Sequence, residues 1–144
     1  MDQKLLVGID CSNCSNRALD YAGEWALAAG AELTIVHVIE WSPYSFNTPM
    51  ENEKRHQRRE EELARAHAEI IDPLVQQMKD KGVNVEGVIR HGHAAQTIAA
   101  LAEEIGATNI IIGRKGTSRL KAQIFGSVPS MLVQIAEKPV TVVP

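Results

Sequence analysis

A chain of 144 residues with 44% apolar and 23% charged side chains is long enough to bury a core of its own, as one domain over 1–144. Its formal charge of −3 supplies no global field for nucleic acid or an acidic membrane, so any anion site has to be a local feature. No apolar run approaches the length of a membrane span, the Met1-Asp2-Gln3-Lys4 start lacks a secretory pattern, and two cysteines suit a reducing compartment, so a cytoplasmic protein is expected.

In chain order, Lys4 to Asp10 is a short apolar run and reads as a strand. Ser12, Asn13 and Ser15 then offer helix caps, and Ala18, Ala22, Trp25, Ala26 and Ala29 recur at helical spacing up to a stop at Gly30. Glu32 to Ile39 is rich in β-branched residues and reads as a second strand, followed by a proline-containing loop over Trp41 to Met50. Glu51 to Lys81 places Leu63, Ile70, Leu74 and Met78 on one helical stripe, with a mixed-charge face for water and a break expected at Pro73, near Ile71 and Asp72. Val83 to Arg90 is a third strand, Ala94 to Ile105 a helix, Asn109 to Ile112 a fourth strand, Val128 to Ala136 a last helix and Val140 to Val143 a last strand. Strands alternating with helices in this way predict an α/β domain with a parallel sheet covered on both faces. Ligands of such sheets sit outside the carboxyl ends of the strands, where the winding reverses, which directs attention to the turns after the first and fourth strands.

After the fourth strand come Gly113-Arg114-Lys115-Gly116, nine further residues, and Gly126-Ser127 at the start of the last helix. Glycines let the backbone approach a ligand closely, and the free N–H groups of a helix N-terminus attract phosphate. From Ile105 to Ala136 there is no Asp or Glu, while Arg114, Lys115, Arg119 and Lys121 all fall there, so the segment is a local anion site in an acidic chain. Neither a Walker A sequence nor a GxGxxG after the first strand is present.

At these residues the chain resembles the ATP-binding branch of the universal stress protein family, whose G-x2-G-x9-G-[ST] pattern is matched by Gly113, Gly116, Gly126 and Ser127. VGID at the end of the first strand, HVI at the second, GHAAQTI opening the third helix and KPVTVV at the finish extend the resemblance along the chain. It implies a five-stranded parallel sheet in the order 3-2-1-4-5, of the adenine nucleotide alpha hydrolase-like kind. It also implies ATP as ligand, with adenine on the backbone of Val38 and the strand end at Gly8, and with Asp10 near the ribose. Phosphates would lie on Gly113, Arg114, Lys115 and Gly116 and on Gly126, Ser127 and Val128, with Ser118 or Arg119 joining. Arg114-Lys115 is more basic than many loops of the family, which either strengthens phosphate binding or repels a cation, so Mg²⁺ stays open. Pro129 stands in place of a small residue, and Cys11 in place of the glycine usual after the strand-one aspartate.

Cys11-x-x-Cys14 at a strand-to-helix turn is the rival, a thiol redox site, although redox enzymes bearing that motif use a mixed sheet. A partner-binding module that has lost its ligand is the third possibility. His91-Gly92-His93 with His37 has the look of half a metal site, but helix entry suits that turn better, and His56 and His67 are expected at the surface. Trp25 and Trp41 are expected to pack. Without a carboxylate or histidine in the loop segment, ATP turnover is expected to be slow or absent. Val140 to Val143 reads as an exposed apolar edge, and the resemblance implies a homodimer through it.

Overall fold

The computed structural model describes residues 2–10, 13–40, 49–114 and 127–144, and the side chains of most of these. Five parallel strands, β1 (Lys4–Ile9), β2 (Glu32–Glu40), β3 (Asn84–Gly92), β4 (Asn109–Gly113) and β5 (Val140–Val143), form one sheet in the order β3-β2-β1-β4-β5. Between them lie α1 (Asn13–Ala29), α2 (Pro49–Ala66), α3 (Asp72–Asp80), α4 (Ala94–Ile105) and α5 (Ser127–Ile135). The expected order of elements and the expected parallel sheet are both present. Among the described residues, no helix is long and apolar enough to cross a membrane.

Alternation along the strands divides the core in two. Leu5, Val7, Ile9, Leu33, Ile35 and Ile111 face Ala18, Leu19, Ala22 and Ala26 of α1 and Met78 of α3. Leu6, Val36, Ile110 and Ile112 face Ala95, Ile98, Leu101 and Ala102 of α4 and Leu132 of α5. β1 therefore has no accessible face: Leu5, Leu6 and Val7 are all 0% exposed, which is why its sequence is apolar throughout instead of alternating. Helix ends follow local chemistry. Gly106 closes α4 at φ 69°, and the Ala107 amide reaches back to the Ala102 carbonyl at 2.8 Å, a left-handed cap that a side chain would strain.

Two expectations change in detail. Pro49 and Met50, read as loop, open α2, because a proline in the first turn of a helix loses no needed donor; the rest of that loop, 41–48 with Trp41, lies outside the described residues. The predicted break at Pro73 is a π-helical turn over His67–Ile71, after which α3 begins at Asp72. Proline lacks an N–H and crowds the preceding turn, and the chain responds by widening, so that the Asp72 amide reaches the His67 carbonyl five residues back. His67, expected at the surface, is partly buried in that turn. His56 is on the surface as expected, beside Glu60 at 3.1 Å.

The widened turn delivers Ile71, 1% exposed, onto β3 at Gly87. A Cβ at Gly87 would overlap the Cγ2 of Ile71 and stand 2.9 Å from Cγ2 of Val75, so the α2–α3 pair packs directly against strand backbone there. Replacing Gly87 with Ala is expected to destabilise the protein by about 1–3 kcal/mol through overpacking. In urea unfolding, the Gly87→Ala/Ile71→Ala double variant should then lose less than the sum of its single changes. Strict additivity would contradict the contact.

Candidate functional site

The register of the sheet sets the site before any side chain does. Ile9 is level with His37 across β1 and β2, so Asp10 stands opposite Val38; Val7 is level with Ile111, so Gly113 stands opposite Ile9. Asp10, Val38 and Gly113 thus reach the same carboxyl edge, and Val38 and Gly113 are two strand spacings apart, about 10 Å. β1 connects by α1 to β2 on one side and pairs with β4 on the other, so the winding order reverses here and the edge is a crevice.

Gly8 lies one step below that edge, buried, on the face covered by α4. A Cβ there would meet the Cδ1 atoms of Ile112 at 2.9 Å and Ile98 at 3.0 Å. Glycine lets those two side chains close over β1 and form the floor of the crevice. Val38, on the same face, is partly buried against the α4–α5 core. Asp10 is partly exposed and has partners of its own.

Gly113 is buried at the end of β4, and Arg114 leaves the strand with its amide donating to the Val143 carbonyl at 2.7 Å. The Arg114 Nε is buried with no hydrogen-bond partner among the described residues. Ser127 opens α5 in an exposed position, while Val128 and Pro129 behind it tuck into the core face. The two ends of the glycine-spaced segment are therefore the carboxyl end of a buried strand and the amino end of a helix, and the helix end presents backbone N–H groups suited to an anion. Lys115, Gly116, Ser118, Arg119 and Gly126 lie outside the described residues, as does Cys11, and only the backbone of Cys14 is described, in the first turn of α1.

The rival constellations are dispersed. His37 Nδ1 lies 3.1 Å from the Ile9 carbonyl, which can only accept, so Nδ1 carries the hydrogen and the ring braces the end of β1. His91 Nε2 is 3.7 Å from Glu62 Oε2 of α2, and His93 precedes α4 as its cap residue without a side-chain capping bond. The three imidazoles serve different elements. Trp25 packs edge-on to Tyr21 at 6.2 Å and donates from Nε1 to Gln3. The sheet is parallel throughout, unlike the mixed sheet that the redox reading calls for. Sequence reasoning missed Arg17, whose Nε donates to the Pro144 carbonyl at 2.9 Å, and the brace made by His37. Arg17 carries no local signal, because its partner is 127 residues away.

Known proteins share the sequence pattern and the fold of this chain. The profile described as "Universal stress protein family" matches residues 1–144. Universal stress protein YxiE of Bacillus subtilis is 31% identical over 156 aligned positions, covering 99% of this chain and 99% of that protein. The chain spans 47% of the length of the mycobacterial universal stress proteins Mb2019 and Rv1996. The solved structure of MJ0577, from Methanocaldococcus jannaschii, superimposes with a TM-score of 0.82 at 25% identity over 99% of this chain and 96% of that one. A universal stress protein from Archaeoglobus fulgidus, solved in complex with dAMP, shares the fold at a TM-score of 0.66 and 21% identity, over 99% and 98% of the two chains.

The floor residue gives a test. Gly8→Ala is expected to cost about 1 kcal/mol in urea unfolding, at the low end of overpacking, because the atoms it meets are side-chain tips that can turn aside. A loss as large as that of Gly87→Ala would contradict this view of the floor.

Proposed function

The chain belongs to the universal stress protein family, and from that premise we propose that it binds ATP at the carboxyl edge formed by β1, β2 and β4, as a nucleotide-dependent regulatory module in the stress response. The observation that carries the reading is the placement of the G-x2-G-x9-G-S segment, with Gly113 ending a buried strand and Ser127 opening a helix beside the winding reversal. The dAMP bound by the Archaeoglobus protein of the same fold supports an adenine nucleotide as the ligand class.

In this reading the backbone of Val38 reads the adenine edge, the crevice floor over Gly8 supports the ring, and Asp10 hydrogen-bonds the ribose. A main-chain reader needs no polar side chain, which fits the apolar surroundings of Val38. Gly113, Lys115 and Gly116 with Gly126, Ser127 and Val128 take the phosphates through N–H groups and the Ser127 hydroxyl, Arg114, whose amide is spent on Val143, joins through its guanidinium, and Ser118 or Arg119 adds a contact. Arg114 supplies charge, and its Nε, buried without a hydrogen-bond partner among the described residues, suits an anionic acceptor. The module binds ATP without rapid turnover, because the segment from Ile105 to Ala136 carries no carboxylate to orient an attacking water. A reducing cytoplasm suits the thiols of Cys11 and Cys14.

The protein works as a homodimer through β5, an edge strand of four partly exposed residues. The Pro139 and Val143 carbonyls accept from Ile110 and Arg114, so alternate residues of β5 face β4, and Val140 and Val142 turn their N–H and C=O groups outward.

Calorimetric titration of nucleotide-stripped protein with ATP, with and without Mg²⁺, is expected to show micromolar binding that disappears in a Gly113→Ala/Gly126→Ala variant, with phosphate release far slower than about 1 s⁻¹. No heat at millimolar ATP, or turnover at that rate, would contradict the reading. Val142→Pro removes one outward donor and leaves the β4 ladder intact, and is expected to yield monomers by sedimentation. Dimers that persist in this variant would place the interface elsewhere.

A further inference from the structure

β1 and β2 run side by side until Ile9 is level with His37, and there β1 ends. β2 continues through Val38, Ile39 and Glu40, which are level with Arg90, His91 and Gly92 of β3. The seam therefore opens into a fork, with Asp10 leaving on one arm and Val38 on the other. The Glu32 amide donates to the Gln3 carbonyl at 3.1 Å, so even-numbered residues of β2 direct both backbone groups toward β1. At Val38 this aims the amide at the Ile9 carbonyl and the carbonyl past the last residue of β1.

One side chain spans the root of the fork. His37 Nδ1 donates to the Ile9 carbonyl at 3.1 Å. A carbonyl oxygen has two lone pairs, so Ile9 has room for this ring N–H beside the last rung of the ladder. Side-chain alternation puts His37 on the face that Ile35 and Ile39 share with α1, whereas Val38 and the crevice floor at Gly8 lie on the α4 face. The imidazole thus holds the fork from the side of the sheet opposite the floor. Beyond this rung β1 no longer restrains β2, and β3 alone pairs with it.

We infer that His37 is a positioning residue of the nucleotide crevice: its bond to the Ile9 carbonyl fixes the width of the fork between Asp10 and Val38, and so the spacing at which one nucleoside reaches both. This rests on the proposed adenine and ribose contacts and adds what holds them in place. A site that reads a base through main chain has no rotamer with which to correct a displaced strand, so its strand ends have to be set before the ligand arrives. His37 touches no ligand in this scheme.

The test titrates ATP calorimetrically into the nucleotide-stripped native protein and into His37→Leu, His37→Asn and His37→Gln, with the melting temperature of each measured alongside. Asn carries an N–H group on the atom that corresponds to Nδ1, whereas Gln carries it one bond farther out and Leu has none. ATP affinity is expected to fall roughly fivefold in His37→Leu and His37→Gln, the weight of about one net hydrogen bond, and to stay within about twofold of native in His37→Asn. A residue that only stabilises the fold would lower the melting temperature and leave the affinity of the folded protein unchanged, which would overturn the inference. If His37→Leu does not fold, the Asn and Gln variants decide, and equal ATP affinity in those two would overturn it as well. Absence of ATP binding by the native protein would overturn the underlying reading and this inference with it.

Discussion

Exclusion of water from both faces of β1 is the constraint on which the rest depends. With Leu5, Leu6 and Val7 at zero exposure, its polar backbone has to be satisfied by neighbours on each side, and β2 and β4 are those neighbours. β1 is first in the chain and central in the sheet, so the chain winds outward from it through β2 to β3 and then returns to add β4 and β5 on its other side, and the winding reverses at β1. The crevice is a consequence of burying that strand. Its floor follows as well, since the glycine at position 8 lets Ile98 and Ile112 close over the strand just below the edge.

The carboxyl edge is also where the molecule departs from a simple packed core. Asp10, Arg17, His37, Arg114 and Pro144 gather polar and charged groups around the carboxyl ends of the strands, while Thr34 is the buried polar side chain among the apolar ones of the sheet's amino half. Several of these contacts are backbone-directed. His37 braces the Ile9 carbonyl, Arg17 holds the Pro144 carbonyl, and the Arg114 amide holds Val143. Two of these contacts spend a side chain on a backbone carbonyl and the third is backbone to backbone, and together they position the strand ends.

On the opposite side of the sheet, α2 and α3 show how a local defect becomes a packing device. Pro73 cannot donate to the helix, the turn over His67–Ile71 widens, and the widened turn aims Ile71 at the bare backbone of Gly87. The proline and the glycine are 14 residues apart and neither explains the other until the strand and helix are laid together.

Apolar runs, glycine stops and helical spacing were sufficient to place all five strands and the order of the helices, because burial on two faces leaves a strong imprint on a strand and one-sided burial leaves one on a helix. The anion site proposed after β4 rests on a similar kind of signal, because charge asymmetry and glycine spacing are local properties. Family resemblance carried the strand order, which alternation alone does not specify. What tertiary structure decided are the relations between distant residues. The level of Val38 against Asp10, the seat of Ile71 on Gly87, the brace from His37 to Ile9 and the bond from Arg17 to Pro144 depend on register and on close approach between segments far apart in the chain. Hydrophobic pattern selects which face of an element is buried, but the depth and alignment at which two elements meet arise only when the whole core packs at once.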